Sequence, residues 1–127
     1  MMLQVPVSVG ELVDKITILN IKSKMITDAA KLANIGRERE ALLAVCKQHG
    51  VDPGDRETQD LERINLALWK IEDDIRDKEK AKTFDKEFIE LARAVYVTND
   101  QRFKAKAVLN EKYGSTFREE KSYKEYL

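Results

Sequence analysis

The segment VPVSVGELVDKITILNIKSKMI, residues 5–26, constrains the fold more than any other part of the chain. Its apolar residues recur at spacings of three and four, which is typical of an α-helix rather than a strand. They form two lines on nearly opposite helix faces. The first line is Val9, Leu12, Ile16, Leu19 and Ile26, and the second is Ile18, Ile21 and Met25. A helix with two apolar faces needs two covers, so we expect it inside a bundle, or between a bundle and a partner.

Capping residues mark the start of this helix. Ser8 and Glu11 have the spacing of a capping box, in which the Ser8 hydroxyl accepts from the amide of Glu11 while the Glu11 carboxylate accepts from the amide of Ser8. Residues 1–7, which contain Pro6, are expected to be extended and could pair as an edge strand.

The same periodicity predicts a second helix at residues 28–48, with Gly50 as its stop, and a third at residues 56–80. In the third helix an apolar seam suits packing against an antiparallel neighbour. The seam consists of Leu61, Ile64, Leu68, Ile71 and Ile75.

A fourth helix is expected from Phe84 onward. Thr98 and Gln101 again have capping-box spacing, so a break or a kink there and a fifth helix ending before Gly114 are predicted. Residues 115–127 are highly charged and are predicted to lack regular structure. The fold class is therefore all-α, a bundle of four to five helices in one domain, residues 1–127, with an extended N-terminal segment and an irregular C-terminal tail.

The charge balance limits the partners. The chain has 23 basic and 23 acidic residues, a net charge of zero that gives no electrostatic reason to expect a nucleic acid or an anionic membrane surface. Apolar runs are too short to span a bilayer. The single cysteine cannot form an internal disulfide and no signal-peptide pattern is present, so we expect a cytoplasmic protein.

Familiar catalytic and cofactor motifs are missing, so no cofactor and no metal are expected and enzymatic activity stays open. Cys46 and His49 lie three residues apart but lack further ligands, and a core thiol beside a helix-terminal histidine explains them better. The carboxylate pairs Glu11–Asp14 and Glu87–Glu90 have a spacing that can hold magnesium, although solvated salt pairs are the more economical explanation.

Two polar groupings could form a ligand site. Arg102, Lys104 and Lys106 follow the predicted helix start near Asn99 and could bind a phosphate or sugar phosphate, although a plain helix cap with a solvated face explains them better. The seams of the first helix carry Thr17, Asn20 and Lys24 on one side and Glu11, Lys15 and Lys22 on the other, and these could line a pocket or bond to neighbouring helices.

Four segments resemble a family of small bacterial and phage proteins known only as a domain of unknown function. They are residues 5–26, LWKIEDDIRDKE at residues 68–79, FIELARAVYVTNDQR at residues 88–102 and the GS...EEKSY pattern near the end. The resemblance implies no activity. Because members of that family tend to accompany surface-polysaccharide or glycosyltransferase functions, it implies a protein partner in surface-polysaccharide biosynthesis. The resemblance marks as recurring Asp14, Lys15, Asn20, Lys22, Trp69, Glu72, Asp73, Arg76, Asn99, Asp100 and residues 119–123.

We therefore expect a non-enzymatic interaction or accessory module that forms a homodimer. The predicted apolar interface is Ile18, Ile21, Met25, Leu66 and Trp69. The alternative is a small-molecule or sugar-phosphate-binding protein, or an enzyme, with a polar cleft between helices. Its predicted ligand-binding residues are Lys15, Asn20, Lys22, Asp73, Arg76, Lys121 and Tyr123.

Overall fold

Four helices make up the fold in the computed structural model, which describes residues 1–126. They are α1 (Val9–Met25), α2 (Ala29–His49), α3 (Arg56–Lys80) and α4 (Lys86–Lys112). The predicted all-α class is confirmed. The described residues contain no strand, so the edge strand considered for residues 1–7 does not form. Leu127, the last residue of the predicted irregular tail, lies outside the described residues.

A side-chain cap begins every helix. The N-cap residues Ser8, Asp28, Asp55 and Asp85 each accept a hydrogen bond from the backbone amide three residues later. The capping box predicted at Ser8 forms only by half. Ser8 accepts from the Glu11 amide at 3.1 Å, but the Glu11 carboxylate lies 2.8 Å from Nζ of Lys106 on α4. The Glu11 carboxylate therefore pairs with a lysine of α4 instead of accepting from the Ser8 amide.

The break predicted at Thr98 is wrong, because α4 continues through it for 27 residues. No glycine or proline occurs within α4, so nothing in its backbone favours a stop. Thr98 is 8% exposed and lies in the helix interior. Thr98 and Gln101 have the spacing of a capping box, but they are polar residues within one continuous helix.

The two-faced helix α1 lies at the centre and contacts α2, α3 and α4. Val13 and Ile16 of its first apolar line are fully buried. Within residues 1–126, α2 packs on α1 and on no other helix, whereas α3 and α4 form a long antiparallel hairpin. The core joins α1 to all of these elements through Val13, Ile16, Cys46, Val51, Leu61 and Leu109.

Helix α1 covers only part of the α3–α4 hairpin. At about 1.5 Å per residue α1 is about 26 Å long and α3 about 37 Å. The contacts of α1 fall on the half of the hairpin that contains Asn65, Arg102 and Asn110. We call the remaining part, residues 71–97, the arm. None of its residues is buried.

Candidate functional site

A buried polar network joins three helices beside the core. Asp14 of α1 is 1% exposed. Its carboxylate accepts from Nε of Arg102 at 2.9 Å and from Nη2 of Arg102 at 2.5 Å. Asn65 of α3 donates to Asp14 and to the Thr17 hydroxyl, both at 2.9 Å. Hydrogen bonds from Arg102 to Asp14 raise the pKa of the guanidinium above its ordinary value. A buried carboxylate is therefore compensated by α3 and α4 together.

A second charged cluster lies one helical turn along α4. The Lys106 side chain is 8% exposed, and its Nζ lies 2.8 Å from carboxylate oxygens of both Glu11 and Glu119. Burial alone would lower the pKa of Lys106, but the hydrogen bonds to these two carboxylates outweigh burial and raise it. The same contact lowers the pKa of Glu119. The cluster ties the segment after α4 to α1.

The first network forms the floor of a cleft between α1, α3 and α4, with a volume of about 350 Å³. Ile18, Ile21 and Trp69 supply apolar walls. Because Nε and Nη2 of Arg102 point to Asp14, its position at the edge of the cleft is fixed before any ligand arrives. A mostly apolar cleft with a few oriented polar groups is the usual form of a small-molecule site.

The predicted ligand-binding residues fall in different places. Asp73 and Arg76 lie together in the cleft. Lys15 pairs with Glu38 of α2 at 3.6 Å, and Lys22 is half-buried near the end of α1. Asn20 accepts from Arg39 at 2.5 Å and donates to Glu62 at 2.7 Å. The last two predicted residues, Lys121 and Tyr123, line another cavity beside α4.

Residues predicted as an interface are partly covered by their own chain. Ile21 is 3% exposed, and Ile18 and Trp69 are half-buried in the cleft. Met25 and Leu66 are 48% and 42% exposed. The second apolar line of α1 therefore meets α3 over most of its length and is open at Met25.

A family model described as a family of unknown function, DUF6165, matches residues 3–127. The chain belongs to DUF6165. The resemblance to a family known only as a domain of unknown function is thereby confirmed, while the bacterial or phage origin stays a prediction. The DUF6165 chain matches no curated protein and no solved structure. In its described residues no helix has the length and apolar character needed to cross a membrane.

The candidate catalytic pairs of the DUF6165 chain are engaged elsewhere. Asp14 binds Arg102, and Glu11 binds Lys106. Glu87 lies 2.9 Å from Lys78. Cys46 is fully buried in the core, where burial raises the pKa of its thiol. Across residues 1–126 no three His, Cys, Asp or Glu side chains are placed to hold a metal ion.

Sequence reasoning missed Asn65. A usable signal was present, because Asn65 stands between Leu61 and Leu68 at spacings of four and three, on the face where apolar residues recur. A polar residue at such a position needs a buried partner. In the DUF6165 chain the partners are Asp14 and Thr17 of α1.

Proposed function

We propose that this protein is a non-enzymatic cytoplasmic interaction module that acts as a homodimer, with the arm as the main contact surface. The observation that carries the proposal is that the rest of the chain covers the apolar residues of the arm only in part. The partner in surface-polysaccharide biosynthesis that the resemblance implied stays a prediction. A dimeric module would present such a partner with two copies of every surface.

The arm carries apolar residues like those of a packed helical bundle, but no further helix covers them in the described chain. Ile71, Ile75, Leu91 and Val95, which face between its two helices, are only half-buried. On its outer surface Phe84, Ile89 and Tyr96 are 57%, 56% and 45% exposed. Two helices alone cannot enclose the stripe between them, and apolar stripes of this kind are normally buried against a further element.

The total exposed surface supports the same proposal. The chain exposes 9262 Å². A compact monomer of 14.6 kDa is expected to expose about 6,900 Å². Part of the excess of about 2,400 Å² belongs to the extended residues at both ends of the chain, and part to the arm. A stable interface needs only about 800 Å² from each partner, which is about a third of this excess.

A second copy of the chain is the occupant that fits best. The arm carries both charge signs along its length, with six basic residues among eight acidic ones, so two antiparallel arms can form pairs of opposite charge. An antiparallel pair of two-helix arms is a four-helix bundle with a two-fold axis, the commonest symmetry of homodimers.

Light scattering after gel filtration tests the proposal, with an expected mass of twice 14.6 kDa. Ile89→Lys should produce a monomer, because it puts a charge in the apolar contact. Val108→Lys is the matched control, since Val108 lies on the same helix outside the arm and is 52% exposed, against 56% for Ile89. This control should remain dimeric.

A wild-type monomer at millimolar concentration would overturn the dimer. A dimer that Leu66→Lys dissociates and Ile89→Lys does not would overturn the role of the arm and move the contact to the Met25 and Leu66 surface predicted from the sequence.

A specific observation also favours the second candidate, a sugar-phosphate-binding protein. The cleft combines an indole ring, Trp69, with two arginines, Arg76 and Arg102, and two carboxylates, Glu72 and Asp73. Arginines bind phosphate oxygens, carboxylates accept from sugar hydroxyls, and an indole ring packs against the apolar face of a sugar.

Trp69 is the only tryptophan of the chain, so its fluorescence reports on the cleft directly. Titration with glucose 6-phosphate should change this fluorescence with saturation in the wild type, and more weakly in Arg76→Gln. Arg63→Gln, an exposed arginine on α3 outside the cleft, is the control. A linear, unsaturable response identical in all three proteins would rule the candidate out.

A further inference from the structure

The segment that follows α4 is held to the bundle at both ends. We call residues 115–126 the strap. Near its start, Ser115 Oγ accepts from the Val9 amide at 3.1 Å, and Glu119 binds the buried Lys106 at 2.8 Å. Near its end, the Tyr126 hydroxyl donates to Asp100 at 2.5 Å. The Tyr126 ring also packs edge-on against Tyr96, with ring centroids 5.3 Å apart.

The middle of the strap leaves a space against α4. Between the two attachments lies a cavity of about 520 Å³, within the range of small-molecule sites, roughly 300–1,000 Å³. Tyr123, in the middle, is 75% exposed. A segment that served only to cover α4 would close onto it along its whole length. The strap contacts the bundle at both ends, and a cavity separates its middle, which carries aromatic and basic side chains, from α4.

The lining of the cavity indicates what could fill it. Three lysines, Lys104, Lys121 and Lys124, meet two carboxylates, Asp100 and Glu125. The Asp100 carboxylate already accepts from Tyr126. Lys121 is paired with Glu119 at 3.6 Å. Among the described residues Lys104 and Lys124 form no ion pair, and ammonium groups are common binders of phosphate oxygens.

Aromatic rings complete the lining. Phe103 and Tyr123 face the same ammonium group, with Lys121 Nζ 5.6 Å and 5.1 Å from the two ring centroids. Tyr126 closes the distal end of the cavity. Exposed rings beside lysines can stack a planar ring while the lysines bind a phosphate attached to it.

We propose that the cavity beneath the strap binds a small organic phosphate that carries a planar ring, the chemical class of a mononucleotide. A long nucleic acid is not the ligand, because the chain has no net positive charge to track a phosphate backbone. The site adjoins the arm at Tyr96 and Val97. The variants that test it, at Lys104, Tyr123 and Lys124, lie outside the arm, so its test and the dimer test fail or succeed independently.

Isothermal titration with adenosine 5′-monophosphate tests the proposal, with adenosine and inorganic phosphate as the two halves of the probe. The intact nucleotide should bind at least about tenfold more tightly than either half, since stacking and a charged hydrogen bond are each lost in one of them. Lys104→Gln combined with Lys124→Gln should weaken nucleotide binding about tenfold. So should Tyr123→Ser, which removes one ring.

The matched control is Lys47→Gln combined with Lys86→Gln. These are two exposed lysines, one on α2 and one at the start of α4, away from the strap. It should bind like the wild type. A second measurement follows tryptic cleavage of the strap, whose cleavage sites are Arg118, Lys121 and Lys124. Bound nucleotide should slow cleavage after Lys121 in the control but not in the Lys104 and Lys124 double variant, which keeps this site.

Three results would overturn the proposal. The first is no heat of binding with millimolar nucleotide. The second is equal affinity for inorganic phosphate and nucleotide, which would mean that charge alone attracts the probe. The third is tighter, steeply salt-dependent binding of a single-stranded oligonucleotide, which would assign the surface to nucleic acid.

Discussion

Replacing Gly10 by alanine should destabilise the protein, although the same change stabilises most helices. Gly10 lies in the first turn of α1, where the helix approaches α4 closely. A Cβ added there would stand 2.6 Å from the carbonyl oxygen of Lys106 and 3.0 Å from Oδ1 of Asn110. Real Cβ atoms do not come so near a backbone oxygen. The Gly10 amide also donates to Asn110 at 2.6 Å, so the two helices cannot separate without weakening that bond.

The expected size of the effect is a difference of two terms. Overpacking a fitted contact costs about 1–3 kcal/mol, and alanine in place of glycine in a helix contributes up to about 1 kcal/mol. Gly10→Ala should therefore lower the free energy of unfolding by up to about 2 kcal/mol. Gly36→Ala is the matched control. Gly36 lies inside α2, and a Cβ there meets no atom within 4 Å, so this variant should be more stable than the wild type by about 0.5–1 kcal/mol.

Urea unfolding followed by far-UV circular dichroism measures both values. All proteins must be compared at one concentration, because the stability of a dimer depends on concentration. If Gly10→Ala is as stable as Gly36→Ala, the close approach of α1 and α4 is not a constraint and the reasoning fails.

Two further predictions concern charged groups. Burial alone would raise the pKa of Asp55, the N-cap of α3, but hydrogen bonds from the start of α3 and the end of α4 hold it at about 2. A depressed pKa stabilises the fold above the unfolded value, so about 2 kcal/mol should be lost as the pH falls from about 4 to 2, and Asp55→Asn should lack this loss in acid unfolding experiments. Asp14→Asn should lower the free energy of unfolding by about 3 kcal/mol, because it leaves the Arg102 guanidinium without its carboxylate. A loss below about 1 kcal/mol in urea unfolding would show that Arg102 turns to solvent instead.

Local sequence signals were sufficient for most of the fold. The caps Ser8 and Gly50 lie where the local sequence predicted them, because a cap is a contact between residues three or four apart. The cap predicted at Thr98 was wrong because a local pattern does not include distant contacts. Thr98 is buried within a continuous helix, and Arg102 pairs with Asp14, which lies 88 residues away.

The candidate sites depend on such long-range contacts. Asp14 and Arg102 belong to segments that the resemblance marked, yet no spacing rule pairs them. The strap was predicted to be irregular, and its path across α4 depends on contacts with Lys106 and Asp100, which no local pattern in the strap reveals. Pairings between distant residues follow from how the helices assemble, which periodicity alone does not specify.

The buried ion pair also limits what can cover the arm. A buried pair adds little net stability, because desolvation offsets its attraction. Its effect on helix register is larger. The apolar residues of α1 recur every three or four positions, so α1 could slide along α4 by one turn and still bury Val13 and Ile16 against apolar neighbours. Such a shift would move Asp14 away from Arg102.

The same shift would also move Gly10 away from the Lys106 carbonyl, where a residue with a Cβ atom would not fit. These two contacts fix α1 on its half of the hairpin and keep it from moving up to cover the arm. Helix α2 contacts only α1 among the described helices and is held back with it. The rest of the described chain therefore leaves the arm uncovered, and in the proposed dimer the arm of a second copy would supply that cover.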